Sequence, residues 1–140
     1  TFRPIKAERL ADHHMHAEWY DIPDETREAV AEAKRRGGRI VAVGTTSART
    51  LESAAGGMDG GGEDGRRTGW TDLFIRPGYR WRVVDGMVTN FHLPGSSLLV
   101  MISALAGRER VMACYRRAVE ERWRFYSYGD AMLIWRTGGG

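Results

Sequence analysis

RIVAVGTTSARTLES, residues 39–53, is the stretch from which the fold can be read. Residues 39–43 are a short apolar run, the pattern of a buried strand. Gly44-Thr45-Thr46 reads as the turn after it, and residues 47–55 read as a helix. Upstream, Asp24 is a good N-cap for a helix with its apolar stripe at Ala29, Val30 and Ala33; Gly37 stops that helix. Residues 17–22 (AEWYDI) have strand-like content. The order helix, strand, turn, helix over 24–55 predicts an α/β sheet.

Downstream, residues 56–69 (GGMDGGGEDGRRTG) hold seven Gly in fourteen positions and no apolar period, so they read as a flexible loop. Their Gly spacing is irregular and no GK[ST] follows, which argues against a phosphate cradle. Structure resumes at 70–75 (WTDLFI), and Pro77-Gly78 marks a turn. Tyr79–Val84 and Met87–Phe91 flank Asp85-Gly86, a strong hairpin signal. Ser96 or Ser97 can cap a helix to about Ala106. Its content, LLVMISALA, is apolar nearly all round and should be buried. Gly107 breaks it, and 108–122 form an amphipathic helix with Val111, Met112, Tyr115, Ala118 and Val119 on one face. Residues 124–135 return to strand-like content.

The 140 residues fit one domain, with 42% hydrophobic and 28% charged residues, an ordinary soluble composition. No run of 18 apolar residues suggests a membrane span. TFRPIK is followed by no apolar stretch of the kind a signal peptide needs. The absence of an initiator Met predicts that Thr1 is an internal point of a longer protein. The lone Cys114 cannot form an internal disulfide and reads as a small core side chain, which makes the cytoplasm the expected compartment. Net charge is +3, too weak a bias to identify a nucleic-acid partner.

Four segments could carry chemistry. In GTTSARTLE (44–52) a helix start offers unpaired N–H groups and a partial positive charge to an anion such as a carboxylate or phosphate. Thr45, Thr46 and Ser47 add hydroxyls, and Arg49 could close over the anion. Strand ends in open α/β sheets are where ligands bind. Simple capping by Thr46 or Ser47 explains the same residues, and spacing leaves both readings open. In HHMHAE (13–18), an extended chain points His14, His16 and Glu18 one way. Imidazoles there could transfer protons, sit as satisfied structural histidines, or ligate metal; no Cys cluster supports the last. TNFHLPGSS (89–97) places Thr89, Asn90 and His92 at a strand end, where they could serve a substrate or only bond the backbone. FYSYGDAML (125–133) offers aromatics that could stack on a base, although strand aromatics are more often core. Asp130 could be a turn residue. Arg80, Arg82, Arg116, Arg117, Arg122 and Arg124 could meet phosphates, or form a solvated face.

Read in order, TFRP (1–4), HHMHAEWY (13–20), GTTSARTLES (44–53), TDLFIRPGY (71–79), VVDGMVTNFHLPGSSLL (83–99), SALAGRE (103–109) and RFYSYGDAMLI (124–134) resemble the S-adenosylmethionine:tRNA ribosyltransferase-isomerases of queuosine biosynthesis. GTTSARTLES and TNFHLP are long and unusual motifs. The departures are His14 where Lys is usual, Ala17 where Ser is usual and Ser97 where Thr is usual. The resemblance implies the C-terminal part of a mixed-sheet α/β catalytic domain, residues 1–140, without the family's N-terminal part and inserted β-barrel. It implies S-adenosylmethionine as a ribosyl donor, no metal, and tRNA as partner through its anticodon region. The ribose would move to 7-aminomethyl-7-deazaguanine at the wobble position and rearrange to an epoxycyclopentane, with adenine and methionine leaving. The full-length enzyme is expected to be a monomer away from membranes, and this piece alone could be inactive.

Mapped onto this chain, His16 or His92 is expected to transfer the proton, with Glu18 orienting His16 or binding a ribose hydroxyl. Thr45, Thr46 and Arg49 would surround the methionine carboxylate or a tRNA phosphate, and Ser47 would also bind substrate. Thr89, Asn90 and Asp130 would complete the substrate site, Asn90 and Asp130 holding adenine or the modified base. Two other classes compete: a metal-dependent hydrolase using His14, His16, His92 and a carboxylate, and a non-catalytic tRNA-binding module.

Overall fold

The computed structural model describes residues 14–55 and 68–138. Along the chain lie β1 (Glu18–Asp21), α1 (Asp24–Arg35), β2 (Val41–Val43), α2 (Thr45–Ser53), β3 (Thr68–Thr71), β4 (Gly86–Asn90), α3 (Ser97–Ala106), α4 (Arg108–Glu120) and β5 (Ala131–Trp135). Three strands form a mixed sheet in the order β2-β4-β5, parallel between β2 and β4 and antiparallel between β4 and β5. β1 and β3 pair separately as an antiparallel ribbon. The mixed α/β expectation holds. Most of the Gly-rich segment, 56–67, and His13 lie outside the described residues; Thr68 and Gly69, expected in the loop, belong to β3.

Register explains which side of the sheet is core. Ala42, Met87 and Ile134 sit opposite one another, as do Thr89 and Met132, and paired residues share a face. On that face Ala42, Met87 and Met132 are buried with Ile102 and Leu105 of α3 and Ala48 of α2. Truncating a fully buried side chain such as Ile102 to Ala would cost about 2–5 kcal/mol. A second cluster packs Val30 of α1 against Ile22, Ile40 and Val83. Residues 39–43 are therefore not buried on both sides, as their apolar run had suggested. Alternation leaves Val43 72% exposed and Leu133 55% exposed on the other face.

Several local expectations are corrected by where backbone hydrogen bonds go. Residues 79–84 form no strand, so Asp85-Gly86 is not a hairpin turn. Instead the buried Glu52 carboxylate accepts from the N–H groups of Arg82, Val83 and Val84 and from the Tyr79 hydroxyl, at 2.8–3.0 Å. Asp85 Oδ2 accepts from Ile40 N–H at 2.9 Å, and Gly86 opens the central strand. A Cβ on Gly86 would lie 2.6 Å from the Trp135 ring, so glycine is required by that close approach. Pro23, not Asp24, occupies the N-cap of α1; Asp24 lies in the first turn, where its charge suits the helix dipole. The α1 C-terminus closes as a Schellman motif, with Gly37 at φ 69° and bonds from Gly37 N–H to Lys34 O and Gly38 N–H to Ala33 O.

α3 is buried as its composition requires, and Ser96 caps it by accepting from Leu99 N–H. In α4 Val111, Tyr115 and Ala118 face the core. Val119 and Cys114 do not: both are exposed, because their positions fall off the Val111–Tyr115–Ala118 stripe. Residues 124–130 are a loop, and only 131–135 form a strand. No helix among the described residues is long and apolar enough to cross a membrane.

Candidate active site at the carboxyl ends of the parallel strands

β2 and β4 are parallel, so their carboxyl ends open on one edge of the sheet. A cavity of about 520 Å³ lies there, a size suited to a small-molecule ligand. Val43 and Gly44 lead from β2 into its wall, where Gly44 takes φ 95° and donates to Val88 O at 2.8 Å. Thr45, Thr46 and Ser47 then form the first turn of α2 and line the cavity. The N-cap is Gly44, with no side-chain cap. Capping by Thr46 or Ser47, one of the two readings of that segment, is therefore not what these hydroxyls do. The first-turn N–H groups have no upstream carbonyl inside the helix, which gives this wall a partial positive character.

β4 supplies the other side through Val88, Thr89 and Asn90, and the chain continues into Phe91 and His92. Thr89 Oγ1 and His92 Nε2 are 2.7 Å apart. His92 N–H donates to the Tyr115 hydroxyl at 2.7 Å, fixing the backbone beneath the ring. Burial lowers the His92 pKa from its ordinary value, so the imidazole is neutral at neutral pH. Burial likewise raises that of Tyr115. Phe91 is fully buried below, in edge contact with Tyr115 at 5.1 Å and tilted against Phe125 at 5.3 Å. No Asp, Glu, Lys or Arg among the described residues lines the cavity. His92 is the one imidazole among the described residues that line the cavity, and it can accept a proton.

Six residues expected from the sequence thus share one cavity: Thr45, Thr46, Ser47, Thr89, Asn90 and His92. The other four do not line it. Arg49 is 3% exposed and turns away from the first turn of α2. It donates to Glu18 Oε2 at 2.8 Å, to Leu73 O at 2.9 Å, to Thr71 O at 3.1 Å and to His16 O at 3.4 Å. Glu18 therefore meets Arg49, and both belong to the junction between α2 and the β1–β3 ribbon. His16 is exposed beside that junction. Asp130 Oδ2 accepts from Arg124 N–H at 2.7 Å and closes the loop 124–130. Among the described residues no three His, Cys, Asp or Glu side chains come together as a metal-ligand group; His14 and His16 are not at the cavity that His92 lines.

Tyr126, Ser127 and Ser96 line the cavity and were not singled out as site residues from the sequence. The motif FYSYGDAML contained the first two, but strand-like content hid the loop that presents them.

The family described as queuosine biosynthesis protein matches residues 1–134. The S-adenosylmethionine:tRNA ribosyltransferase-isomerase of Pelotomaculum thermopropionicum is 58% identical over 134 residues, covering 96% of this chain and 38% of the relative. The enzyme of the same name from Gloeobacter violaceus is 56% identical over 134 residues, covering 96% of this chain and 37% of its own length. The crystal structure of the S-adenosylmethionine tRNA ribosyltransferase from Thermotoga maritima aligns with a TM-score of 0.74 at 50% identity, over 83% of this chain and 40% of that one. The chain thus spans about 38% of the length of the curated relatives it matches.

Proposed function

This chain belongs to the queuosine biosynthesis protein family, and from that premise we propose that it carries a catalytic α/β part of an S-adenosylmethionine:tRNA ribosyltransferase-isomerase. In this reading the ribosyl group of S-adenosylmethionine moves to the aminomethyl group of 7-aminomethyl-7-deazaguanine at the tRNA wobble position. The ribose is rearranged to an epoxycyclopentane, and adenine and methionine leave. The names of the relatives support the substrates S-adenosylmethionine and tRNA.

The chemistry needs a base for a proton on the 5'-methylene, which the adjacent sulfonium acidifies. A neutral imidazole suits this. What supports His92 over His16 is its place in the cavity and its bond to Thr89, at 2.7 Å. The methionine carboxylate suits the first turn of α2, where Thr45, Thr46 and Ser47 add hydroxyl donors to the free N–H groups. Asn90 donates through Nδ2 to the carbonyls of Gly129 and Asp130, which leaves its amide oxygen for a base edge. Arg49, Glu18 and His16 support the α2 junction, and Asp130 supports the loop beside the cavity.

The observation that carries the reading is the Thr89-bonded His92 in one cavity with the start of α2. A chimera tests it: this chain replaces the matching portion of the Pelotomaculum relative. The chimera is incubated with S-adenosylmethionine and tRNA bearing 7-aminomethyl-7-deazaguanine. Adenine and the epoxide-bearing nucleoside, detected by mass spectrometry, are expected. A folded chimera that forms neither overturns the reading.

A further inference from the structure

Tyr126 has φ 73°, a left-handed conformation that bulky L-residues rarely adopt. Its surroundings hold it there. Tyr126 N–H donates to Phe91 O at 3.0 Å, and its carbonyl accepts from Gly129 N–H at 2.9 Å. The loop is closed at its base by Asp130 N–H to Arg124 O at 2.8 Å and by Arg124 N–H to Asp130 Oδ2 at 2.7 Å. A Cβ on Gly129 would lie 2.4 Å from Arg124 O, so only glycine permits this closure. Asn90 Nδ2 ties the loop to the end of β4 through two bonds of 3.3 Å.

The backbone reversal sends neighbouring rings apart. Phe125 packs inward on Phe91 and Tyr115, at 5.3 and 5.7 Å. Tyr126 lines the cavity and is 54% exposed. It makes no ring contact with another described residue. Apolar and hydroxyl-bearing residues make up most of the other walls, together with the Asn90 amide and the His92 ring, and no Asp, Glu, Lys or Arg among the described residues lines them. A strained and pinned backbone that ends in an unpartnered ring is a preorganised surface for a flat ligand.

Resting on the function proposed above, we propose that Tyr126 stacks on a purine-type ring of the substrates, either the adenine of S-adenosylmethionine or the deazaguanine of the tRNA. Stacking needs no charge and tolerates either ring, because both present a π-face. His92 and the first turn of α2 are then left to the sulfonium and carboxylate end.

The test uses the chimera and its Tyr126→Phe, Tyr126→Trp and Tyr126→Leu variants, with circular dichroism and melting to establish folding. Affinities are measured for S-adenosylmethionine, adenosine and the 7-aminomethyl-7-deazaguanine nucleoside. Phe and Trp are expected to keep affinity, and Leu to weaken it by about tenfold. A loss for S-adenosylmethionine and adenosine together assigns the ring to adenine; a loss confined to the deazaguanine nucleoside assigns it to tRNA. Either supports the stacking role. A Leu variant that binds all three ligands like the unsubstituted chimera overturns it and leaves the proposed function standing. Folded Phe and Trp variants that lose affinity as Leu does also overturn it, since ring shape is then not what matters. An unsubstituted, folded chimera that binds none of the ligands overturns this inference together with the proposed function.

Discussion

Thr89 and His92 are joined side chain to side chain, Oγ1 to Nε2 at 2.7 Å, across the point where β4 leaves the sheet. Thr89 is buried and points to the core-facing side of the sheet with Met87. The bond therefore ties the His92 ring to a buried residue of the central strand.

If that bond orients the base, Thr89→Val should lower kcat/KM of the chimera by about tenfold to a hundredfold, part of the roughly 10²–10⁴ that general-base catalysis contributes. Thr89→Ser should restore most of the rate. Valine without effect on the rate would remove the orienting role.

Burial lowers the His92 pKa below the ordinary value of about 6.5. A reaction that needs the neutral ring should lose rate only as pH falls through that lowered pKa, so the acid limb of kcat/KM lies below 6.5. The same shift affects stability. The unfolded chain takes up the proton first, so His92's contribution is present above its unfolded pKa and is lost as pH falls through the folded one. A pH-rate profile with its acid limb above the ordinary histidine value would contradict the assignment.

Arg49 is spent on the junction of α2 with the β1–β3 ribbon. Glu18 is 38% exposed at its side chain, so the ion pair itself adds little. Leaving the carbonyls of Leu73 and Thr71 without donors costs more. Arg49→Ala is expected to destabilise by roughly 2–4 kcal/mol in urea unfolding, with S-adenosylmethionine affinity of the folded fraction unchanged. Lost affinity at full stability would return Arg49 to the anion-closing role.

Glu52 organises residues 79–84 by accepting from three backbone N–H groups and the Tyr79 hydroxyl. Glutamine would set an NH₂ against a donor. Glu52→Gln should destabilise by about 2–4 kcal/mol in the same measurement. Burial, then the Glu52 charge, raises the Tyr79 pKa well above 10. Tyr79's contribution is therefore full below its unfolded pKa and is lost as pH rises above it. A Glu52→Gln protein as stable as the parent would deny the carboxylate its role.

Arg122 follows α4 with φ 59°, and Trp123 N–H closes the helix end on Ala118 O at 2.9 Å. This is the position glycine prefers. Arg122→Gly should raise stability by about 0.5–1 kcal/mol, the relief of left-handed strain outweighing the entropy of glycine. A drop in melting temperature would contradict that balance.

Much of this was legible in the sequence because local signals agreed with the fold. RIVAV followed by GTTS reads as strand, turn and helix start, and its last five residues, Val43 to Ser47, line the cavity. Ser96 and Gly107 bounded α3 as capping chemistry requires. The misreadings came from long-range partners. Asp85-Gly86 carries the hairpin signal, but Glu52, 30 residues earlier or more, captures the N–H groups that a hairpin would use. Arg49 has the right spacing to close over the start of α2, yet its partners come from residues 16–18 and 71–73. Tyr126 reads as a strand aromatic because nothing local reports a positive φ at a tyrosine. A one-dimensional pattern records which atoms could bond, not which distant group reaches them first.

The most direct measurement is the product-forming rate of the chimera with His92→Ala, with S-adenosylmethionine and the modified tRNA saturating. A fall of about 10²–10⁴ in the formation of adenine and the epoxide nucleoside, with folding and S-adenosylmethionine binding intact, is the expected result. A folded His92→Ala chimera that turns over at the unsubstituted rate would contradict the site.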